Sequence, residues 1–319
     1  MKWKKLGRIF NVAEHQLPGE CIGFSQSPQA LVLDDRVRFY VTMREMDSNN
    51  KFKGQIAYVD FDLALTSVIK VSEHFPIQLG GLGTFDEHGI FPMNVLRHND
   101  KILGFTSGLS RRKSVSLETS IGLATSDDNG ETFTKYGIGP VLSSSLHEPF
   151  LVCDAFVLHE NDEFLMWYIY GLRWIDKAEA DGTESRVYKI AFAKSKDAIH
   201  WEHTSELIIP DVIGENECQA LPTVCKIGNR YHMYFCYRDA IGFRNVKGKG
   251  YRLGYAYSDD LVNWVRDDEN GGLPLSEDGW DSEMMCYPHL FKVADQVYIA
   301  YNGNAFGKDG FGIAKLESV

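Results

Sequence analysis

Apolar residues along the chain fall into paired short runs with almost no helical periodicity, each pair broken by a brief polar turn. At Pro92 the run Met93-Asn94-Val95-Leu96 leads into the turn His98-Asn99-Asp100-Lys101 and then a second run, Ile102-Leu103-Gly104-Phe105. The same register opens at Pro28, Asp154, Pro222 and Pro288, so successive starts lie 64, 62, 68 and 66 residues apart. Paired apolar runs across a short polar turn predict β-hairpins. A fixed period of this length predicts a repeat architecture.

A third strand follows each hairpin. It is plain in Ile121-Gly122-Leu123-Ala124-Thr125-Ser126, Ile190-Ala191-Phe192-Ala193-Lys194-Ser195 and Leu253-Gly254-Tyr255-Ala256-Tyr257-Ser258, each running into an Asp-containing turn and then an aromatic, Phe133, Trp201 or Trp264. Ser126 to Phe133 has the S-x-D-x-G-x-T-F form in which Ser and Asp bond the turn backbone, a feature of the blade rim. A fourth strand completes the unit. Five units of four strands predict an all-β, five-bladed β-propeller made of four-stranded antiparallel blades, one domain over 1–319 with inner strands starting near 28, 92, 154, 222 and 288. A pair of β-sandwiches is the alternative, but nothing in a sandwich calls for a fixed repeat. The last unit stops after Phe311-Gly312-Ile313-Ala314-Lys315-Leu316, whereas residues 3–10 form a strand with no hairpin partner. That N-terminal strand is expected to close the ring by pairing beside residues 311–316.

Composition narrows the function. With 44% apolar and 13% aromatic residues the chain can build a large core. A net charge of -11, with Lys and Arg scattered, lacks the basic footprint of nucleic-acid binding. No apolar run reaches the length of a membrane span. Six cysteines without metal-type spacing, behind an N-terminus with no apolar leader, point to free thiols and a cytoplasmic location.

In a propeller the start of each inner strand and the end of the next strand meet at one mouth of the central channel, where ligands bind. Five residues before Pro92, Pro222 and Pro288 stand Glu87, Glu217 and Glu283, and Glu148 precedes Asp154 by six. Asp86 and His88 stand beside them. Two readings stay open: the repeated carboxylates cap blade-to-blade turns, or they line a funnel and supply a proton donor and a base. Strand ends at the same level add Arg44, Tyr170, Arg238 and Asn302, and Gln26 and His289 belong to the same candidate set. Guanidinium, amide and aromatic groups of this kind suit sugar hydroxyls and ring faces. No Walker loop, nucleophile elbow or dinucleotide fingerprint is present. No metal ligand set or cofactor is read from the spacing, although the central channel leaves room for a divalent cation.

The five-unit pattern, with inner strands opening on Pro or Asp and a third strand reading A-x-S-x-D, resembles the five-bladed glycosidase superfamily that includes glycoside hydrolase family 43. Three stretches, Trp3 to Phe10, Phe85 to Pro92 and Tyr301 to Gly312, are more closely similar to a group of bacterial propellers and to the propeller domain of plant glucosamine inositolphosphorylceramide transferases. The resemblance implies an inverting site with a blade-1 base, a blade-3 tuning carboxylate and a blade-4 acid. Ser27 stands where the base is expected. Asp154 falls at or next to the tuning carboxylate. Ala220 occupies the position of the acid, with Glu217 three residues earlier.

Two functions follow as expectations. One is a glycoside hydrolase-like propeller acting on an intracellular glycan or activated sugar, with Glu217 as acid, Asp86 or Glu87 as base and Asp154 as orienting carboxylate. The other is a non-catalytic carbohydrate- or nucleotide-sugar-binding propeller that assists a glycosyltransferase partner in surface-polysaccharide biosynthesis. A protein-interaction platform is a third, weaker reading.

Overall fold

In the computed structural model, which describes residues 1–180, 182 and 184–319, the strands form five four-stranded antiparallel sheets. The inner strands are Gln26–Val32, Ile90–His98, Val152–Glu160, Glu217–Ile227 and Cys286–Val293. Each packs against the inner strand on either side, and the last returns to the first, closing a ring. The N-terminal strand Lys2–Asn11 pairs antiparallel with Gly310–Ser318 and becomes the outermost strand of blade 5. The fold is a five-bladed β-propeller.

Every inner strand carries a β-bulge at the same place, where the repeated proline stands. The extra residue re-aims a side chain at the mouth. Ser27, Asp154, Leu221 and Tyr287 adopt left-handed φ values of 54°, 59°, 47° and 58° there, and Phe91 takes the equivalent place in blade 2. This register puts Ala155, not Asp154, at the proline position. The expected start of blade 3 thus moves by one residue, because the Asp is the left-handed member of the bulge.

The apolar core lies between blades, in clusters that each join neighbouring sheets. The outermost strands supply wedges. Phe133 packs on Tyr40, Trp201 on Phe105, Trp264 on Trp167 and Trp3 on Tyr234, each reaching from its own blade to the preceding one. The Ser-Asp turns that precede three of these aromatics are held as expected, with Ser126 Oγ 2.6 Å from Asp128 Oδ1 and accepting the Gly130 N–H at 2.9 Å.

Two residues beyond each wedge stands a basic residue on the same face of the strand: Lys135, His203, Arg266 and Lys5. Each meets a buried carboxylate at or before the start of its own blade's inner strand. Arg266 binds Glu217 at 2.5 Å, Lys5 binds Asp281 at 2.8 Å, His203 Nδ1 lies 3.3 Å from Glu148, and Lys135 pairs with Asp86. Loop and outermost strand are thereby tied across the full width of four blades.

Candidate functional site

The central mouth is a cavity of about 570 Å³ to which all five blades contribute. The bulge residues Phe91, Asp154 and Tyr287 line its floor, with Tyr188 and Tyr251 beside them. Around these stand Arg44, Arg186, Arg238, Arg244 and Lys308, with Phe24, Phe243 and Phe306 interleaved. Asp154 and Glu283 are the carboxylates of the lining. A molecule of net charge -11 therefore opens onto a basic, aromatic funnel.

Asp154 is buried, and its own N–H donates to Ser107 Oγ at 2.8 Å while its Oδ2 accepts the Leu221 N–H at 3.3 Å. Burial pushes its carboxyl up to about 7, against the pull of the Leu221 N–H, the Cys153 thiol and the Arg186 charge. Arg44 lies between Phe24 and Phe52, 4.0 and 4.9 Å from the ring centres, and its Nε donates to Gln26 Oε1 at 2.9 Å. Arg238 is buried over Phe243 at 3.5 Å; its Nη1 donates to the Asp239 carbonyl and its Nη2 to Tyr188 Oη. Its Nε has no partner among the described residues. Burial, then the charges of Arg238 and Arg186, pull the Arg244 guanidinium below its ordinary value. Next to Phe243 and Tyr251, Ala305 and Phe306 hold left-handed φ values of 55° and 60°, a conformation non-glycine residues enter only at a cost. That strained turn presents Phe306 and Lys308 to the cavity.

Of the thirteen residues expected at the site, Asp154, Arg44, Arg238 and Glu283 line the cavity. The others lie elsewhere. Glu217 accepts N–H bonds from Val212 and Ile213, an amide bond from Gln219 and the Arg266 pair, and despite burial these hold its carboxyl below the ordinary range. Asp86 is buried against Lys135, and Glu87 turns back to accept the Gly83 N–H at 2.9 Å. His88 Nδ1 accepts the Arg111 N–H at 3.4 Å. Glu148 accepts from Tyr168 Oη at 2.5 Å, and Tyr170 donates to the Ser205 carbonyl at 3.0 Å. Asn302 is spent on the backbone, accepting the Ser27 N–H and donating to the Ser25 and Gly310 carbonyls. His289 sits beneath the funnel against Phe156 and Phe291, where burial pushes its imidazole down to about 4. Gln26 reaches the site through Arg44.

Of the repeated carboxylates, Glu148 and Glu217 are engaged within the protein, as is the neighbouring Asp86, while Glu87 caps the turn at Gly83 and Glu283 lines the cavity. Sequence reasoning missed Arg186, Arg244, Tyr188, Tyr251 and Phe306, which come from third strands and from loops outside the repeat. Phe306 and Lys308 lie in the Tyr301 to Gly312 stretch already singled out by resemblance. Among the described residues no three His, Cys, Asp or Glu side chains gather as a metal site, and no helix is long and apolar enough to cross a membrane.

No family model matches the sequence. The ring of sheets is similar to that of a solved "Glycoside hydrolase" with a TM-score of 0.76 at 15% identity, covering 99% of this chain and 93% of that one. A thermostable family-43 glycoside hydrolase matches with a TM-score of 0.67 at 15% identity, covering 96% and 93% of the two chains. The β-1,2-mannobiose phosphorylase from Listeria innocua matches with a TM-score of 0.68 at 13% identity, covering 99% and 96%. At such identities the likeness is one of fold. Two Mycobacterium tuberculosis proteins, "Uncharacterized protein Rv1502" and "Uncharacterized protein MT1551", are each 30% identical over 322 residues, covering 100% of both chains. The chain belongs to the same family as these two mycobacterial proteins.

Proposed function

We propose that the chain is a carbohydrate-active propeller that holds a glycan or an activated sugar in the funnel around Asp154, and that it acts first as a recognition module. The observation that carries this reading is the lining itself: aromatic faces and guanidiniums surround one buried carboxyl at the bulge of blade 3. Aromatic rings offer stacking surfaces to sugar faces, and the polar groups between them fix orientation. The solved propellers of similar fold, a glycoside hydrolase and a β-1,2-mannobiose phosphorylase among them, support a sugar ligand.

A hydrolase of the two-carboxylate kind needs a proton donor and a base at the ligand. Glu217 is ill suited to donate, because four partners stabilise its ionised form. Asp154, with a carboxyl near neutrality, is the group able to donate, and Glu283 on the rim is the second carboxylate of the cavity. Service to a glycosyltransferase is placed ahead of hydrolysis because Glu217 is held ionised outside the cavity lining and Ser27 stands where a base is expected. The setting expected with this role is cytoplasmic.

Saturation-transfer NMR of the full chain against mixed neutral oligosaccharides, sugar phosphates, nucleotide sugars and aryl glycosides tests the reading. Binding without new anomeric signals is the expected result. Turnover that Asp154→Asn abolishes and Glu217→Gln retains would replace recognition by catalysis at Asp154. Absence of any saturation transfer from this panel would remove the carbohydrate reading.

A further inference from the structure

A second cavity, of about 400 Å³, adjoins the funnel, and Leu117, Arg186, Arg238, Phe243 and Arg244 line both. The wall between the two lobes is therefore built of three guanidiniums and one aromatic ring. Elsewhere in the molecule buried arginines are neutralised: Arg38 binds Asp60 at 2.7 Å, and Arg266 binds Glu217 at 2.5 Å and Asp268 at 2.9 Å. At the wall none is. Among the described residues Arg186, Arg238 and Arg244 form no ion pair, and their neighbours are the rings of Trp174, Phe243, Tyr188 and Tyr251. Arg238 is 3% exposed and keeps an unpartnered Nε. Arg238 is left desolvated and unpaired, the half-buried Arg186 and the exposed Arg244 add unpaired charge beside it, and an anion is what removes that cost.

We propose that this wall binds a phosphoryl group that joins a sugar in the central funnel to a second moiety in the side lobe. The inference deepens the carbohydrate reading and rests on it. Planar guanidiniums match phosphate oxygens in bidentate fashion, and aromatic stacking on Phe243 pre-orders two of the three. Arg44 and Lys308 on the rim extend the positive field over the funnel. Among the described residues Asp154 and Glu283 are the carboxylates of the funnel lining and Glu184 is that of the side lobe, fewer than the four arginines and one lysine they face, so a ligand carrying one negative charge leaves the site positive. A diphosphate esterified at each end supplies two charges. A pair of lobes meeting at an anion-binding wall matches a ligand with a group on each side of its phosphoryl linkage. A nucleoside diphosphate sugar has that chemistry, and a simple sugar phosphate, which has a group on one side only, is the comparison that tests it.

Isothermal titration calorimetry of the full chain at low salt tests the wall with inorganic pyrophosphate, UDP-glucose, glucose 1-phosphate, glucuronate and maltotriose. Pyrophosphate and at least one of the phosphoryl sugars are expected to bind, with affinity falling at least tenfold in Arg186→Gln and in Arg244→Gln. Arg186 is half-buried and Arg244 exposed, so both variants should fold, and far-UV circular dichroism confirms it. UDP-glucose is expected to bind more tightly than glucose 1-phosphate, and the reverse order would overturn the proposal, because the side lobe would then contribute no second moiety. No heat with pyrophosphate overturns it. So does undiminished binding in both variants, or glucuronate bound as tightly as glucose 1-phosphate. Maltotriose bound while pyrophosphate is not would sink the phosphoryl wall and leave the carbohydrate reading standing. Pyrophosphate bound with no gain from an attached sugar would remove the carbohydrate reading instead.

Discussion

Asp154 is a carboxyl that the fold keeps in a place where its charge is costly. The bulge gives it a left-handed backbone, which Asp and Asn tolerate better than most residues, and aims it into the floor of the cavity. Its folded pKa of about 7 stands above the unfolded 3.8. A raised carboxyl favours the folded state in its protonated form. It therefore costs nothing below the unfolded pKa, and the penalty grows as pH rises toward the folded pKa and is complete above it. Asp154→Asn keeps the acceptor for the Leu221 N–H and removes the penalty. The variant should gain roughly 2–3 kcal/mol more at pH 8 than at pH 5, from about 1.4 kcal/mol per unit of the shift. Thermal melts of both proteins at the two pH values check this. An equal difference at both would mean that burial is not what raises the group.

At the scale of the strand, one short pattern does two jobs. An aromatic followed two residues later by a basic residue, at Phe133/Lys135, Trp201/His203, Trp264/Arg266 and Trp3/Lys5, wedges its ring into the preceding blade while the basic side chain meets a buried carboxylate of its own blade. Truncating a wedge leaves a void between two sheets that the surrounding strands cannot fill. Trp264→Ala should destabilise the protein by about 3–5 kcal/mol in urea unfolding, whereas Val265→Ala, on the exposed face of the same strand, should stay within about 0.5 kcal/mol. A loss below about 1 kcal/mol for Trp264→Ala would show that the blades do not depend on the wedge.

The same pattern explains which parts of the molecule were legible in the sequence. The blades, their number and the pairing of residues 3–10 beside 311–316 follow from period and from counting strands, both local properties. Asp154, Arg44, Arg238 and Glu283 were legible because inner-strand starts and second-strand ends converge on one mouth. Asp86, Glu148 and Glu217 share that level of the chain and look alike there. What separates them from Asp154 is a basic side chain arriving some fifty residues later from the outermost strand, and that contact appears only once the strand folds back. The aromatic-x-basic spacing is itself a readable signal for those partners. Arg186 and Arg244 had no such signal, because one side chain lies on a third strand and the other on a loop that occurs in one blade only.

For the whole molecule, function and closure are one question, since a funnel to which all five blades contribute exists only while the ring is shut. Blade 5 is completed from the far end of the chain. Strand Lys2–Asn11 brings Trp3 into the cluster between blades 4 and 5, Phe10 into the cluster between blades 5 and 1, and Lys5 to Asp281. Removing it uncovers the edge of Gly310–Ser318 and unpairs a buried carboxylate in one step, and it also leaves unpaired backbone groups along that edge. A chain lacking residues 1–11 should therefore lose its cooperative thermal transition, or melt at least 15 °C lower by near-UV circular dichroism, and a peptide of residues 1–12 added in trans should restore part of the loss. Ligand binding should disappear and return with the same peptide, although no residue of the strand touches the cavity. A truncated chain that melts within about 3 °C of the full one would show that the other four blades hold the ring by themselves. In that case the end-to-end pairing would serve the edge of the sheet and not the site.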